Sequence, residues 1–370
     1  MIHQHMKWEA PEFTDERILV IGGAGFVGSN LIKSLREHSP RKIVILDNLL
    51  SSERSSVHVS PEITFIEGSI ADDQILQGLT DDFGYIFHLA TFHGNQNSIY
   101  DPLADHENNT LTTLKLYERV KNFKKIKKVV YSSAGCTFAE NALNQTVAIR
   151  EDSPLPIYFD TPYQISKIIG ELYSNYFYRQ YHLPVVKVRF QNVYGPGEIL
   201  GAGKWRGTLA TVWRNVIPTF VYHALKKWPL IVENKGIATR DFIYVDDIIR
   251  GLMLCAIAGI PGEVYNLASG AETSILNVAT LINCLTGNTA AIQYGPKRIW
   301  DHSNRRFGST VKSKRELGFE AKTSLHEGLS QTIEWTQQNS SLIDVCIQKH
   351  SVHMENAPCS ERPLEMCRIS

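Results

Sequence analysis

The feature that most restricts how this 370-residue chain can fold is a short apolar strand that runs straight into glycines and then into a helix. Residues 18–21 lead into Gly22-Gly23-Ala24-Gly25-Phe26-Val27-Gly28, in which Gly22, Gly25 and Gly28 are spaced GxxGxxG. Backbone without Cβ atoms turns tightly and admits a pyrophosphate, while the start of the following helix offers unpaired N–H groups and the positive end of a dipole. Nineteen residues after Gly28, Asp47 ends a second apolar strand. A carboxylate there can accept both ribose hydroxyls of an adenosine, and it would repel a 2′-phosphate. Strand, glycines and acid together predict a dinucleotide site for NAD rather than NADP, with Arg54 the residue that could reverse the preference. The plain alternative for Asp47-Asn48 is a turn.

From Arg17 to about Pro196, apolar strands alternate with amphipathic helices, the sequence form of a parallel sheet covered on both faces. Strands are expected at 18–21, 43–46, 64–67, 85–89, 128–132 and 185–189, with helices at 25–37, near 107–120 and at 163–181. The expected fold is α/β, a Rossmann-type doubly wound sheet over residues 17–195 after a short N-terminal extension, 1–16. A smaller substrate domain should occupy 196–338, with part of 240–258 returning to the first domain. Residues 339–370 are polar with scattered cysteines and read as a mobile tail.

With 38 basic and 38 acidic residues, the chain has no overall field to attract nucleic acid or an anionic membrane, so a small-molecule partner is expected. The six cysteines show no CxxC pair or zinc-type spacing, which predicts reduced thiols and no metal. An N-terminus without an apolar core segment, and the lack of any apolar run of spanning length, place the expected protein in the cytoplasm. The lysine-rich stretch at 121–128 reads as a solvated helix end.

Tyr163 and Lys167 form Tyr-x-x-x-Lys, a spacing that stacks both side chains on one helix face. Removing hydrogen from a secondary alcohol needs a base for the hydroxyl proton, and tyrosine, with an ordinary pKa of about 10, is too weakly ionised unless a cation helps. A lysine ammonium about 4 Å away, at an effective dielectric near 20, supplies roughly 4 kcal/mol, about three pKa units.

Taken in order, the Gly22–Gly28 turn, His88-Leu89-Ala90, Asn109, the Tyr163/Lys167 pair, Arg189-Phe190-Gln191-Asn192-Val193-Tyr194-Gly195-Pro196 and Arg240-Asp241-Phe242-Ile243-Tyr244-Val245-Asp246-Asp247 resemble the extended short-chain dehydrogenase/reductase family. The resemblance is to its nucleotide-sugar epimerases, dehydratases and decarboxylases, and runs from Arg17 to Trp335. It implies NAD held by Gly22, Gly25, Phe26, Val27, Gly28, Asp47, Asn48, Ser69, Ile70, Leu89, Ala90, Asn109, Tyr163 and Lys167. It also implies a sugar nucleotide held by Asn192, Asn215, Arg240, Arg298 and Asp301, and a homodimer built from helices around residues 111–117 and 173–181. Guanidinium groups suit a buried diphosphate because they bind it bidentately.

Three departures bear on the chemistry. Ile21 replaces the family's threonine before the first glycine, and Ser69 replaces the aspartate over the adenine. The hydroxyl that should donate to the sugar oxygen falls on Ala134, or on Ser133 if the loop is one residue longer; Ser133 is the expected third catalytic residue, with Cys136 and Thr137 in reserve. Family dehydratases carry an Asp-Glu pair just after that hydroxyl and decarboxylases a glutamate, whereas this chain has Ala134-Gly135-Cys136. The resemblance therefore implies an epimerase, most simply a UDP-sugar 4-epimerase acting on UDP-glucose or UDP-glucuronate. In that scheme Tyr163 takes the O4 proton, C4 hydride passes to NAD, and hydride returns to the other face of the turned 4-keto sugar. The basic segment 201–207, through Lys204 or Arg206, together with Arg305, could pair with a uronate carboxylate; a solvated basic loop is the plain alternative. A nucleotide-sugar decarboxylase or reductase, and a non-catalytic NAD-binding regulator, are the competing readings.

Overall fold

A computed structural model describes residues 10–135, 148–155, 157–298, 300–301 and 305–356. Seven strands form one parallel sheet: β1 (Arg17–Ile21), β2 (Lys42–Asp47), β3 (Ile63–Glu67), β4 (Tyr85–His88), β5 (Lys128–Ala134), β6 (Val185–Phe190) and β7 (Val264–Leu267). Their order is β7-β6-β5-β4-β1-β2-β3. The six strands read from the sequence are all present within two residues. Strands buried on both faces show up as unbroken apolar runs, and β1, β2 and β4 are buried almost throughout.

Helix α1 (Phe26–Arg36) follows the glycines, α2 (Thr112–Val120) precedes β5, and α3 (Pro162–Tyr181) precedes β6. A six-residue π-helical stretch, His106–Leu111, leads into α2. Two apolar cores flank the sheet. One joins Val20, Leu31, Ile45 and Phe87 to Ile248 and Leu252 of helix α4 (Val245–Ala258), and the other packs Leu19, Val44 and Ile86 against Leu116 of α2 and Phe177 of α3. After Pro196 the chain leaves the sheet, comes back through α4 and β7, and leaves again toward its short strands at Gln293–Gly295 and Arg305–Arg306.

The end of the chain departs from the expected mobile tail. Residues Ser340–Gln348 form helix α5 and Ser351–Glu355 helix α6. Ile343, Cys346, Ile347 and Met354 are buried in a third core with Ile199, Leu200, Leu209 and Val212, and Trp205, Trp213 and Trp335 lie against it. Positions 343, 346 and 347 share one face of α5 and Met354 is added from α6; their partner is a loop more than 130 residues upstream. Residues 357–370 lie outside the described ones. Among the described residues no helix is long and apolar enough to cross a membrane. Cys255, Cys284 and Cys346 are free thiols.

Candidate active site

Strand order reverses between β1 and β4, and at such a point the loops leaving the two strands diverge and open a crevice beyond their C-terminal ends. That crevice continues into one cavity of ≈ 740 Å³ running from the glycine turn to the short strands of the smaller lobe.

The glycine turn is built for close approach. Gly22 sits at φ +83°, and a Cβ there would meet the Ala90 nitrogen at 2.6 Å. A Cβ on Gly28 would meet the Gly22 carbonyl oxygen at 2.2 Å. Only hydrogen fits at either place, so the first turn of α1 lies directly against the end of β1. Asp47, at the end of β2, accepts from the Ala24 nitrogen at 3.0 Å, the Leu49 nitrogen at 2.8 Å and the Ser52 hydroxyl at 3.1 Å. Burial pushes its carboxyl up, and these hydrogen bonds oppose the shift. Arg54 is drawn away to Glu67 and Phe65, so it does not stand at Asp47 to favour a 2′-phosphate. Gly22, Gly25, Phe26, Val27, Gly28, Asp47, Asn48, Ser69, Ile70, Leu89 and Ala90 all line the cavity. The cradle fits NAD by shape and by charge.

Asn109 does not line it. Its amide is spent on the Phe92 nitrogen at 2.7 Å, Thr91 at 3.0 Å and Asp105 at 2.8 Å, so it shapes the loop after β4 instead of meeting a ligand.

Helix α3 begins with a reciprocal cap between Thr161 and Gln164, which fixes the register of the next turn. Tyr163 and Lys167 then project into the cavity. The Lys167 ammonium donates to the Ser132 carbonyl at 2.9 Å and lies 5.8 Å from the centre of the Tyr163 ring. His93, which sequence reasoning missed, places its ring edge-on to Tyr163 with centroids 6.2 Å apart. Burial, reinforced by Arg214, Arg206 and Lys167, pushes that imidazole down to about 3, so it is neutral near pH 7.

Ser133 lines the cavity as expected, but its hydroxyl corrects the expected role, because it is engaged by a protein partner. Its Oγ donates to Glu171 Oε1 at 2.5 Å, and Arg189 pairs with the same buried carboxylate at 2.9 and 2.8 Å. Tyr131 and Ser133, on one side of the β5 pleat, bond to α3, while Ala134 lines the cavity beside Ser133 without a hydroxyl to offer. Cys136 and Thr137 lie outside the described residues.

At the far end, Arg240 pairs with Asp301 at 2.8 Å and Arg306 reaches the same carboxylate at 3.4 Å, while Arg298 pairs with Glu233. Burial, then the charge of Arg306, lowers Arg240 to about 9. Three guanidinium groups against two carboxylates leave a net positive pocket suited to a diphosphate. Asn192 and Asn215 line the same cavity; Asn192 donates to the Asp241 carbonyl at 3.1 Å, and Asn215 donates to Glu198.

Arg305 is a second correction. It is bidentate to Glu272 and does not line the cavity, whereas its neighbour Arg306 does, because alternate residues of a strand face opposite ways. Arg206 is a third. It is buried against the loop after β2, donating to the Leu50 carbonyl at 3.0 Å and the Ser51 hydroxyl at 2.8 Å, and does not line the cavity. Sequence reasoning also missed Glu198, which burial pushes up to about 7, and Arg214.

The chain matches the NAD dependent epimerase/dehydratase family over residues 18–268. It is similar to the Bordetella bronchiseptica enzyme WbmF, solved with NAD+ and UDP, at 55% identity and a TM-score of 0.84, covering 93% of this chain and 99% of that one. It is also similar to a UDP-glucose 4-epimerase of Thermotoga maritima solved with UDP-glucose, at 29% identity and a TM-score of 0.78, over 88% of this chain and 99% of that one. A putative UDP-glucose 4-epimerase of Methanocaldococcus jannaschii is 27% identical over 87% of this chain and 99% of its own length. A glycine cradle made for NAD, a tyrosine–lysine pair beside it and an arginine pocket across one cavity thus occur here in a chain that belongs to the NAD-dependent epimerase/dehydratase family.

Proposed function

We propose that this protein is an epimerase of a UDP-linked hexose that inverts C4 and leaves its cofactor unchanged over a full cycle. The observation that carries the reading is the single cavity in which Tyr163 and Lys167 stand between the glycine cradle and the Arg240, Arg298 and Arg306 pocket. When bound, NAD supplies the acceptor and donor for the hydrogen on C4. The protein does the rest. Tyr163 takes and returns the O4 proton, Lys167 stabilises the phenolate by its charge, and the arginines hold the diphosphate so that the sugar alone is left to turn.

Dehydration and decarboxylation call for a carboxyl group beside the catalytic tyrosine, and Ala134 and Gly135 offer none. Of the cations considered for a uronate, Arg305 is paired with Glu272 and Arg206 is bound to the cofactor loop, which favours UDP-glucose over UDP-glucuronate. We also infer a homodimer, because Leu111 before α2 and Leu172 and Tyr176 on α3 expose apolar surface along the helices expected to pair.

The test is to incubate the protein with UDP-, GDP- and dTDP-hexoses and uronates and to follow the products by NMR and the cofactor by absorbance. A C4-inverted UDP-sugar with no net NADH change is expected. A 4-keto-6-deoxy product, carbon dioxide release, or stoichiometric NADH consumption would each overturn the proposal, and NAD binding without turnover of any sugar would leave a regulator.

A further inference from the structure

We propose that His93 is a third catalytic residue, its imidazole N–H donating to the sugar oxygen that Tyr163 deprotonates, in the part that a serine or threonine hydroxyl at the end of β5 would have played. The assignment rests on the C4 chemistry proposed above for Tyr163 and Lys167; it does not depend on what becomes of the sugar after C4 is oxidised.

The end of β5 has no hydroxyl hydrogen left to give. Ser132 and Ser133 both line the cavity, but the Ser132 hydroxyl donates to the His88 carbonyl at 2.9 Å and the Ser133 hydroxyl to Glu171 at 2.5 Å. A hydroxyl carries one hydrogen, so neither serine donates again, and Ala134 beside them has none. The demand for a donor remains. As the C4 hydride leaves, the O4–H bond breaks, its proton passes to Tyr163 and C4=O forms; when hydride returns, the oxygen gains negative charge until the phenol gives the proton back. A fixed donor at that oxygen is worth most while the charge is developing.

His93 meets the demand. It lines the cavity, is only partly buried, and sets its ring edge-on to Tyr163 with centroids 6.2 Å apart. A pyranose resting against the phenol is therefore within reach of the imidazole. Among the described residues no hydrogen bond takes up either ring nitrogen, whereas His88, at the end of β4, spends Nε2 on Thr113 at 3.0 Å. Burial and the charges of Arg214, Arg206 and Lys167 keep the ring neutral near pH 7. A neutral imidazole has one N–H to donate and keeps it, so it holds the oxygen while the proton travels only to Tyr163 and back.

The loop that carries the imidazole is tied to the helix that carries the phenol. Asn97 donates to the His93 carbonyl at 3.1 Å, and Asn109 accepts from the Phe92 nitrogen at 2.7 Å. In the short helix Asn95–Tyr100, Asn95 accepts from the Thr161 hydroxyl and Ser98 from the Tyr163 nitrogen, each at 3.2 Å. Hydrogen bonds on both sides thus set the spacing of the two rings.

The test mixes holoenzyme in excess with UDP-hexoses and UDP-uronates and reads the single-turnover loss of the sugar nucleotide by chemical quench, whichever product forms. Eliminating water or carbon dioxide also needs the C4 carbonyl, so the competing reactions share the step. His93→Phe keeps a flat ring without a donor, while His93→Gln and His93→Asn keep an N–H. Phenylalanine should slow conversion about 100-fold, the loss typical of one donor to a developing oxyanion, and an amide should regain about tenfold of it. Melting temperature should be unchanged and affinity for UDP should stay within about threefold. A His93→Phe variant that reacts within about threefold of the unaltered protein would overturn the assignment, and a loss in Thr137→Val instead would give the donor to the loop after β5. Glutamine and asparagine variants both as slow as phenylalanine would also overturn it, making the ring a packing element. Dependence on His93 without any C4-inverted product would sink the epimerase reading and leave the assignment standing. Conversion of no sugar nucleotide by the unaltered protein would overturn both.

Discussion

Replacing Lys167 by methionine separates the electrostatic role of this side chain from every other. With the ammonium 5.8 Å from the centre of the Tyr163 ring, Coulomb's law at an effective dielectric of about 20 gives about 3 kcal/mol of stabilisation for a phenolate, which is roughly a hundredfold in rate. Lys167→Met should therefore lower kcat about 100-fold, and Tyr163→Phe should lower it further by removing the base. The decisive quantity is the double variant. If lysine acts by stabilising charge on Tyr163, its removal from the Phe background costs little more, because the charge it served is gone, and the cycle shows a coupling near 3 kcal/mol. The assay is C4 inversion at saturating sugar nucleotide, with NAD affinity measured separately by calorimetry so that a binding loss is not counted as a chemical one. Additive losses, or a Lys167→Met variant within about fivefold of the unaltered enzyme, would refute the reasoning.

Ser133→Ala should keep kcat within about threefold while lowering stability by about 1–3 kcal/mol, since it removes a buried donor to Glu171; a hundredfold loss of kcat at unchanged stability in urea would return the hydroxyl to the sugar. Glu198→Gln tests a raised carboxyl. The folded protein keeps a proton, up to about pH 7, that the unfolded chain releases near its ordinary value of 4.5, so wild-type stability falls through that window. The glutamine variant should therefore gain on the wild type as pH rises from 4.5 to 7, by roughly 3 kcal/mol in all, and a pH-independent difference in urea melts would contradict this. Gly28→Ala should lower NAD affinity at least about tenfold in a titration, because its Cβ would strike backbone at 2.2 Å; unchanged affinity would mean the turn relaxes freely.

The sheet and the cofactor cradle were legible because their determinants are local. An apolar run of four to seven residues specifies a buried strand, and glycines adjacent to it specify the turn. The Tyr163/Lys167 spacing was legible for the same reason. What the sequence hid depends on partners far away in the chain. The residues of α5 and α6 look polar until the loop at 199–212 supplies the other half of their core. Between Arg305 and Arg306 the deciding fact is one step of strand register against Arg240, and for Ser133, which lines the cavity, it is the hydrogen bond to Glu171, 38 residues away, that takes up its hydroxyl. His93, Glu198 and Arg214 carry no periodic signal; their significance lies in burial inside a cavity that forms only when both lobes are folded.

A reaction that leaves its cofactor unchanged gains nothing from releasing it, whereas an ordinary dehydrogenase must exchange it each turnover. The distribution of order in this molecule matches the first demand. Beside the cofactor end of the cavity lies a segment whose apolar residues are packed, with three backbone carbonyls taken up by Arg206 and Arg214 and two helices fastened outside it. The arginine pocket at the other end rests on ion pairs along short strands, Arg298 being close to half exposed. The exposed Arg298–Glu233 pair reorganises at small cost, whereas Arg240 and Asp301 are largely buried and hold their place as a packed core does. In the proposed cycle, exchange of the sugar nucleotide would therefore turn on the Arg298–Glu233 pair and not on the pocket as a whole.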